Sequence, residues 1–128
     1  MGRAAVLIAE DNDEMRHLFH IILESAGFDV TEAEDGEMAL RALDHARPDL
    51  LLTDLMMPRV DGIELIRRVR ERAELADLPI VAMSAYGSDH LAKAYVTGAT
   101  ATIRKPLDPD NLIDTIIDAL PEPATHGH

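Results

Sequence analysis

Three stretches of this chain, Ala4–Ala9, Asp49–Thr53 and Pro79–Met83, are almost continuously apolar and only five or six residues long. Runs of that length, without polar alternation, suit central strands covered on both faces. Segments with apolar residues at helical spacing lie between them, and this alternation is the signature of a parallel sheet under helices. Two weaker runs, Asp29–Ala33 and Ala101–Arg104, complete a set of five and belong at the edges.

The helices follow from periodicity and punctuation. The first carries Met15, Leu18, Phe19, Ile22 and Ala26, with Asp13 as the expected N-cap and Gly27 as the stop. Asp35 or Gly36 opens the second, which carries Leu40 and Leu43 and runs toward Arg47-Pro48. The third starts near Gly62 and buries Ile63, Ile66 and Val69, whereas the fourth, Ser88 to Tyr95, is poorly patterned and ends by Gly98. The fifth opens on Asp108 with Pro109 at its first position, carries Leu112, Ile113, Ile116, Ile117 and Leu120, and closes at Pro121. Right-handed crossovers then give an α/β chain, a doubly wound (βα)5 five-stranded parallel sheet of flavodoxin-like strand order 2-1-3-4-5.

At 128 residues the chain fits one domain, expected over residues 1–120, with residues 121–128 as a flexible C-terminal tail. Hydrophobic residues make up 47% but aromatics only 3%, so Leu, Ile, Val, Ala and Met must build the core. The absence of cysteine excludes thiolate chemistry, disulfides and cysteine-ligated zinc. No secretory signal pattern and no membrane-spanning apolar run occurs, so the expected setting is cytoplasmic and away from the membrane. A net charge of −12 repels nucleic acid, and direct DNA binding is not expected. Arg59, Arg67, Arg68, Arg70 and Arg72 cluster in one region and read first as a solvated helix face, with a docking patch for an acidic partner as the lesser reading. None of His17, His20, His45, His90, His126 and His128 sits at zinc-ligand spacing, and all six read as surface residues.

The chemistry gathers at the carboxyl ends of the strands, the edge where open α/β sheets bind ligands. Glu10-Asp11 follows the first strand, Asp54 the third, Ser84 the fourth and Lys105 the fifth. Each could be ordinary alone, as a cap, a turn or a surface lysine. Together they make a set suited to phosphoryl chemistry. Crowded carboxylates call for a hard divalent cation such as Mg2+, which binds oxygen ligands and retains several waters. A carboxylate can be the nucleophile, and a lysine ammonium with a serine hydroxyl can hold the phosphoryl oxygens.

The acid pair Glu10-Asp11, the stretch Asp54-Leu55-Met56-Met57-Pro58-Arg59-Val60-Asp61-Gly62, Ser84-Ala85 and Lys105-Pro106 together resemble the receiver domain of two-component response regulators, over roughly residues 3 to 120. The resemblance implies Asp54 as phosphoacceptor and Mg2+ ligand and Asp11 as a direct ligand. It implies Glu10 acting through metal-bound water and the Met56 backbone carbonyl as a further ligand. Ser84 and Lys105 would stabilise the phosphoryl group, and the Lys105-Pro106 bond would be cis. Met56 and Tyr86 occupy the positions that govern the rate of dephosphorylation. One departure stands out: the family's switch position, three residues before the lysine, usually carries Tyr or Phe, and here it is Thr102.

The resulting expectation is a signalling domain rather than an enzyme. Its only chemistry would be self-catalysed phosphotransfer and autodephosphorylation, with the phosphoryl group coming from a histidine kinase or histidine phosphotransfer protein. A downstream protein target would meet the face of helix 4, strand 5 and helix 5. The alternative is a phosphorylation-independent adaptor with the same fold. An aspartyl-nucleophile phosphohydrolase needs a second acid two residues after the nucleophile, where this chain has Met56. Flavin binding lacks a phosphate loop after the first strand.

Overall fold

Parallel strands β1 (Ala5–Ala9), β2 (Asp29–Ala33), β3 (Leu50–Asp54), β4 (Ile80–Ser84) and β5 (Ala101–Arg104) form one sheet in the order β2-β1-β3-β4-β5. Helices α1 (Asp13–Ser25), α2 (Gly36–His45), α3 (Gly62–Glu71), α4 (Ser88–Thr97) and α5 (Pro109–Ala119) alternate with them, and a short 3-10 turn spans Ala73–Leu75. The computed structural model describes residues 2–106 and 108–121. The tail expected at 121–128, with His126 and His128, therefore lies almost wholly outside the described residues.

The strand patterns explain this order. β1, β3 and β4 are buried along almost their whole length, and β2 and β5, with exposed positions, take the two edges. Alternation of side chains sorts the sheet into two cores. Leu7, Leu51, Ile80 and Ala82 pack with Leu65, Ile66 and Val69 of α3 on one face. Val6, Ile8, Leu50, Leu52, Val81 and Met83 pack with Phe19 and Leu23 of α1 and Leu112 and Ile116 of α5 on the other. Both β3 and β4 extend one residue beyond the expected boundary, so Asp54 and Ser84 are the last residues of their strands.

Asx caps set four helix starts. Asn12, Asp35, Asp61 and Asp108 accept backbone N–H groups of Met15, Met38, Glu64 and Asn111. Asn12 therefore replaces Asp13 as the first cap, and Asp13 is the first helical residue. α4 has Gly87 at its N-cap position and so no side-chain cap, in keeping with its weak pattern, and runs on to Thr97. Three apolar expectations were too broad: Leu18 and Ile117 are exposed and Ile63 only partly buried, while Leu23 and Leu65 are fully buried.

The arginine cluster divides by function in the fold. Arg67 and Arg68 pair with Glu64 and Glu71 along α3, as a solvated face does. Arg70 departs from that reading. Its partly buried guanidinium donates to the Gly98 carbonyl at 2.8 and 3.0 Å and to the Leu75 carbonyl at 3.0 Å, bracketing the ends of α3 and α4. Arg59 pairs with Asp35 and Arg72 with Asp44.

Candidate functional site

Asp54 leaves β3 pointing its carboxylate into the sheet edge, 5% exposed, with Oδ1 accepting the Leu55 N–H at 3.0 Å. Gly62 shapes the loop that follows. Its N–H donates to the Leu55 carbonyl at 3.0 Å, and a Cβ there would lie 2.3 Å from the Asp54 carbonyl oxygen. Only a residue without a side chain lets the loop return so closely. Arg59 in the same loop has φ of 64° and is tied to the buried Asp35, which also caps α2.

Glu10 follows β1 and is 2% exposed. Its Oε1 accepts Lys105 Nζ at 2.9 Å and its Oε2 accepts the Asn12 N–H at 3.1 Å. Arg16 braces this turn from α1, donating to the Glu10 carbonyl at 2.9 Å while its guanidinium pairs with Asp13 and Glu32. Sequence reasoning passed over Arg16. The one available signal was a base one helical turn after an acid-rich cap.

Lys105 reaches both buried acids, with Nζ also 3.4 Å from Asp54 Oδ1. The Lys105-Pro106 peptide is cis, as the resemblance implied. Burial pushes the Asp54 carboxyl above its ordinary range although the Lys105 ammonium pulls it down. Burial raises Glu10 as well, opposed by the hydrogen bond from Lys105 and reinforced by the charge of Asp54. For Lys105, burial acts to lower the ammonium, but Glu10 and Asp54 outweigh it and hold it above its usual value.

Asp11 stays exposed at the mouth, and one carboxylate oxygen each from Glu10, Asp11 and Asp54 lie within 4.8 Å of one another. Three carboxylates face one ammonium, an excess of negative charge made only of hard oxygen donors. That donor set fits a cation such as Mg2+.

Ser84 is fully buried, but its hydroxyl is engaged elsewhere. Oγ accepts the Tyr86 N–H at 3.0 Å and lies 3.2 Å from His90 Nδ1. His90 is thus half-buried and bonded, which corrects its reading as a surface residue, and His20 is likewise held between Glu24 and Glu32. Met56 is 50% exposed and Tyr86 59%, both on the rim. Thr102 is half-buried and pairs in register with Ala82.

The family model for the response regulator receiver domain matches residues 6–117. The 14.6 kDa protein of the sodA1 3′ region of Leptolyngbya boryana is 38% identical over 114 residues, covering 88% of this chain and 87% of that protein. The phosphate regulon transcriptional regulatory protein PhoB of Escherichia coli is 34% identical over 112 residues, covering 87% of this chain but 49% of PhoB. The chain thus spans about half the length of that regulator. Among solved structures, Vibrio cholerae chemotaxis protein CheY4 superposes with a TM-score of 0.88 at 29% identity, covering 93% of this chain and all of that one. A response regulator from Chloroflexus aurantiacus gives the same TM-score at 28% identity, covering 91% and 97%. No described helix is long and apolar enough to cross a membrane.

Proposed function

The chain belongs to the response regulator receiver domain family, and on that premise we propose that Asp54 is its phosphoacceptor, receiving a phosphoryl group from the phosphohistidine of a histidine kinase or phosphotransfer protein. The observation that carries this reading is the Lys105 ammonium held between Glu10 and Asp54 at 2.9 and 3.4 Å. A carboxylate oxygen of Asp54 forms the new bond to phosphorus as the bond from phosphorus to imidazole nitrogen breaks in line, and the imidazole leaves. Lys105 moves its charge toward the incoming oxygens, and the Ser84 hydroxyl supplies a further donor.

Mg2+, when bound, supplies charge neutralisation for carboxylates and phosphoryl oxygens together. Asp11 and Asp54 would ligate it directly, Glu10 through water, with the Met56 backbone carbonyl as a further ligand. Loss of the phosphoryl group is governed by Met56 and Tyr86 at the rim, neither of which readily holds an attacking water.

The output is a protein contact on the face of α4, β5 and α5, where Tyr95, Val96 and Ile117 are exposed. A net charge of −12 disfavours nucleic acid as the partner of this chain. A cytoplasmic setting belongs to the same reading. The phosphorylation-independent adaptor has no observation in its favour.

Intact mass after incubation with a small acyl phosphate and Mg2+ tests the assignment. One phosphate should add to the native chain, and none to Asp54→Asn or in the presence of a chelator. Phosphate that persists on Asp54→Asn would remove Asp54 from its role.

A further inference from the structure

Ser84 ends β4 as the partner of Arg104 in the ladder, one position beyond the Met83 that pairs with Asp54. Its backbone carbonyl accepts the Lys105 N–H at 2.8 Å, so the main chain is fixed beside the site. Among the hydrogen bonds of the described residues, however, none joins Ser84 Oγ to Asp54 or Lys105. The hydroxyl is held by the Tyr86 N–H and by Nδ1 of His90, in the first turn of α4. The His90 ring in turn meets the Tyr86 ring edge-on, with centroids 6.5 Å apart and planes at 65°, a favourable aromatic arrangement.

Position 102 gives these contacts their weight. Ser84 lies two residues on from Ala82, the ladder partner of Thr102, so Ser84 and Thr102 share one face of the sheet. Ile103, with the opposite parity, packs into the other core with α1 and α5. The ring in contact with Ser84 therefore comes from α4 and not from β5.

We propose that His90 is a positioning residue that holds Ser84 in a resting rotamer, and that its release when Ser84 turns to a phosphoryl group on Asp54 carries the change into the first turn of α4. The inference rests on the reading of Asp54 as phosphoacceptor. A serine hydroxyl has one proton and two lone pairs, and the bonds to Tyr86 and His90 fix its torsion whichever way the imidazole bond runs. To meet a phosphoryl oxygen, Oγ must rotate about Cα–Cβ and give up His90. That leaves the imidazole and the Tyr86 ring free to repack at a helix start that has no side-chain cap.

Three variants separate this role from simple packing. His90→Phe keeps a ring against Tyr86 and removes Nδ1. His90→Asn places a polar atom near the lost nitrogen. Ser84→Ala removes the partner. With acyl phosphate and Mg2+, His90→Phe should take up phosphate about two- to tenfold faster than the native chain, the range one net hydrogen bond supplies. His90→Asn should restore the native rate, and His90→Phe should have no effect in the Ser84→Ala background. In nitrogen NMR of the native protein, the His90 imidazole signal should move on adding beryllofluoride and stay still in Ser84→Ala. An unchanged rate in His90→Phe, an equal effect without Ser84, or a silent imidazole would overturn the inference while leaving Asp54 as acceptor. Absence of any mass gain on the native chain would withdraw both.

Discussion

Lys105 donates to Glu10 across 2.9 Å and ninety-five positions of sequence, joining the loop after β5 to the loop after β1. Both side chains are largely withdrawn from solvent, so each depends on the other for its charge.

Replacing the lysine should therefore disable the site without dismantling the fold. In Lys105→Met, the phosphoryl oxygens lose the ammonium, and phosphate uptake should fall by about a hundredfold or more, the usual cost of one preorganised donor. A mass time course with acyl phosphate measures it, and a rate within threefold of native would show that Lys105 is dispensable.

The acids give a pH dependence of definite sign. The folded carboxyls of Asp54 and Glu10 titrate above their unfolded values. Over that window the folded chain binds more protons, so their contribution to stability declines as pH rises through it. Asp54→Asn removes one of these charges and should stabilise the metal-free protein at neutral pH. The variant should also lose most of the stabilisation that Mg2+ gives the native chain. Thermal melts with and without Mg2+ at pH 5 and pH 8 test both, and a less stable, Mg2+-responsive Asp54→Asn would contradict them.

Gly62 offers a purely steric test. Its Cβ would sit 2.3 Å from the Asp54 carbonyl and 2.6 Å from Leu55 Cα, both backbone atoms that cannot swing aside. Gly62→Ala should cost about 1–3 kcal/mol in denaturant unfolding and slow phosphate uptake, since the displaced segment carries Asp54.

Met56 is exposed at the rim, and in the proposed reading it shields the phosphoryl group from water. Asparagine there can orient a water that methionine cannot, so Met56→Asn should shorten the lifetime of the phosphorylated form by about two- to tenfold, one hydrogen bond's worth. Decay of the phosphorylated mass after removing the donor is the measurement. A lifetime equal to or longer than native would discard the shielding role.

Much of this was legible in the chain itself. The apolar runs around Val6, Leu51 and Val81 dictate central strands, and Pro109 after Asp108 marks a helix start, because both signals are local. Glu10, Asp11, Asp54 and Lys105 were legible as candidates because each falls at the carboxyl end of a strand. The contacts of Arg70 with Gly98, Arg59 with Asp35 and His90 with Ser84 were not, since each joins residues on different elements or across a turn. Asn12 and Asp13 are both good caps side by side, and the choice falls to whichever can reach the Met15 N–H. Ile117 has the right spacing for α5, but the buried stripe of that helix is narrow enough to leave it in water.

Leu50, Leu51 and Leu52 are each fully buried, the middle one in the core under α3 and its neighbours in the core under α1 and α5. Asp54 is thus mounted on a strand buried along its whole length, and as the proposed phosphoacceptor it has little freedom to search for a phosphoryl group. In the proposed transfer only the Lys105 and Ser84 side chains adjust around a fixed acceptor, so the donor's imidazole must arrive already aimed, and discrimination among donors becomes a matter of how their surfaces seat against the rim.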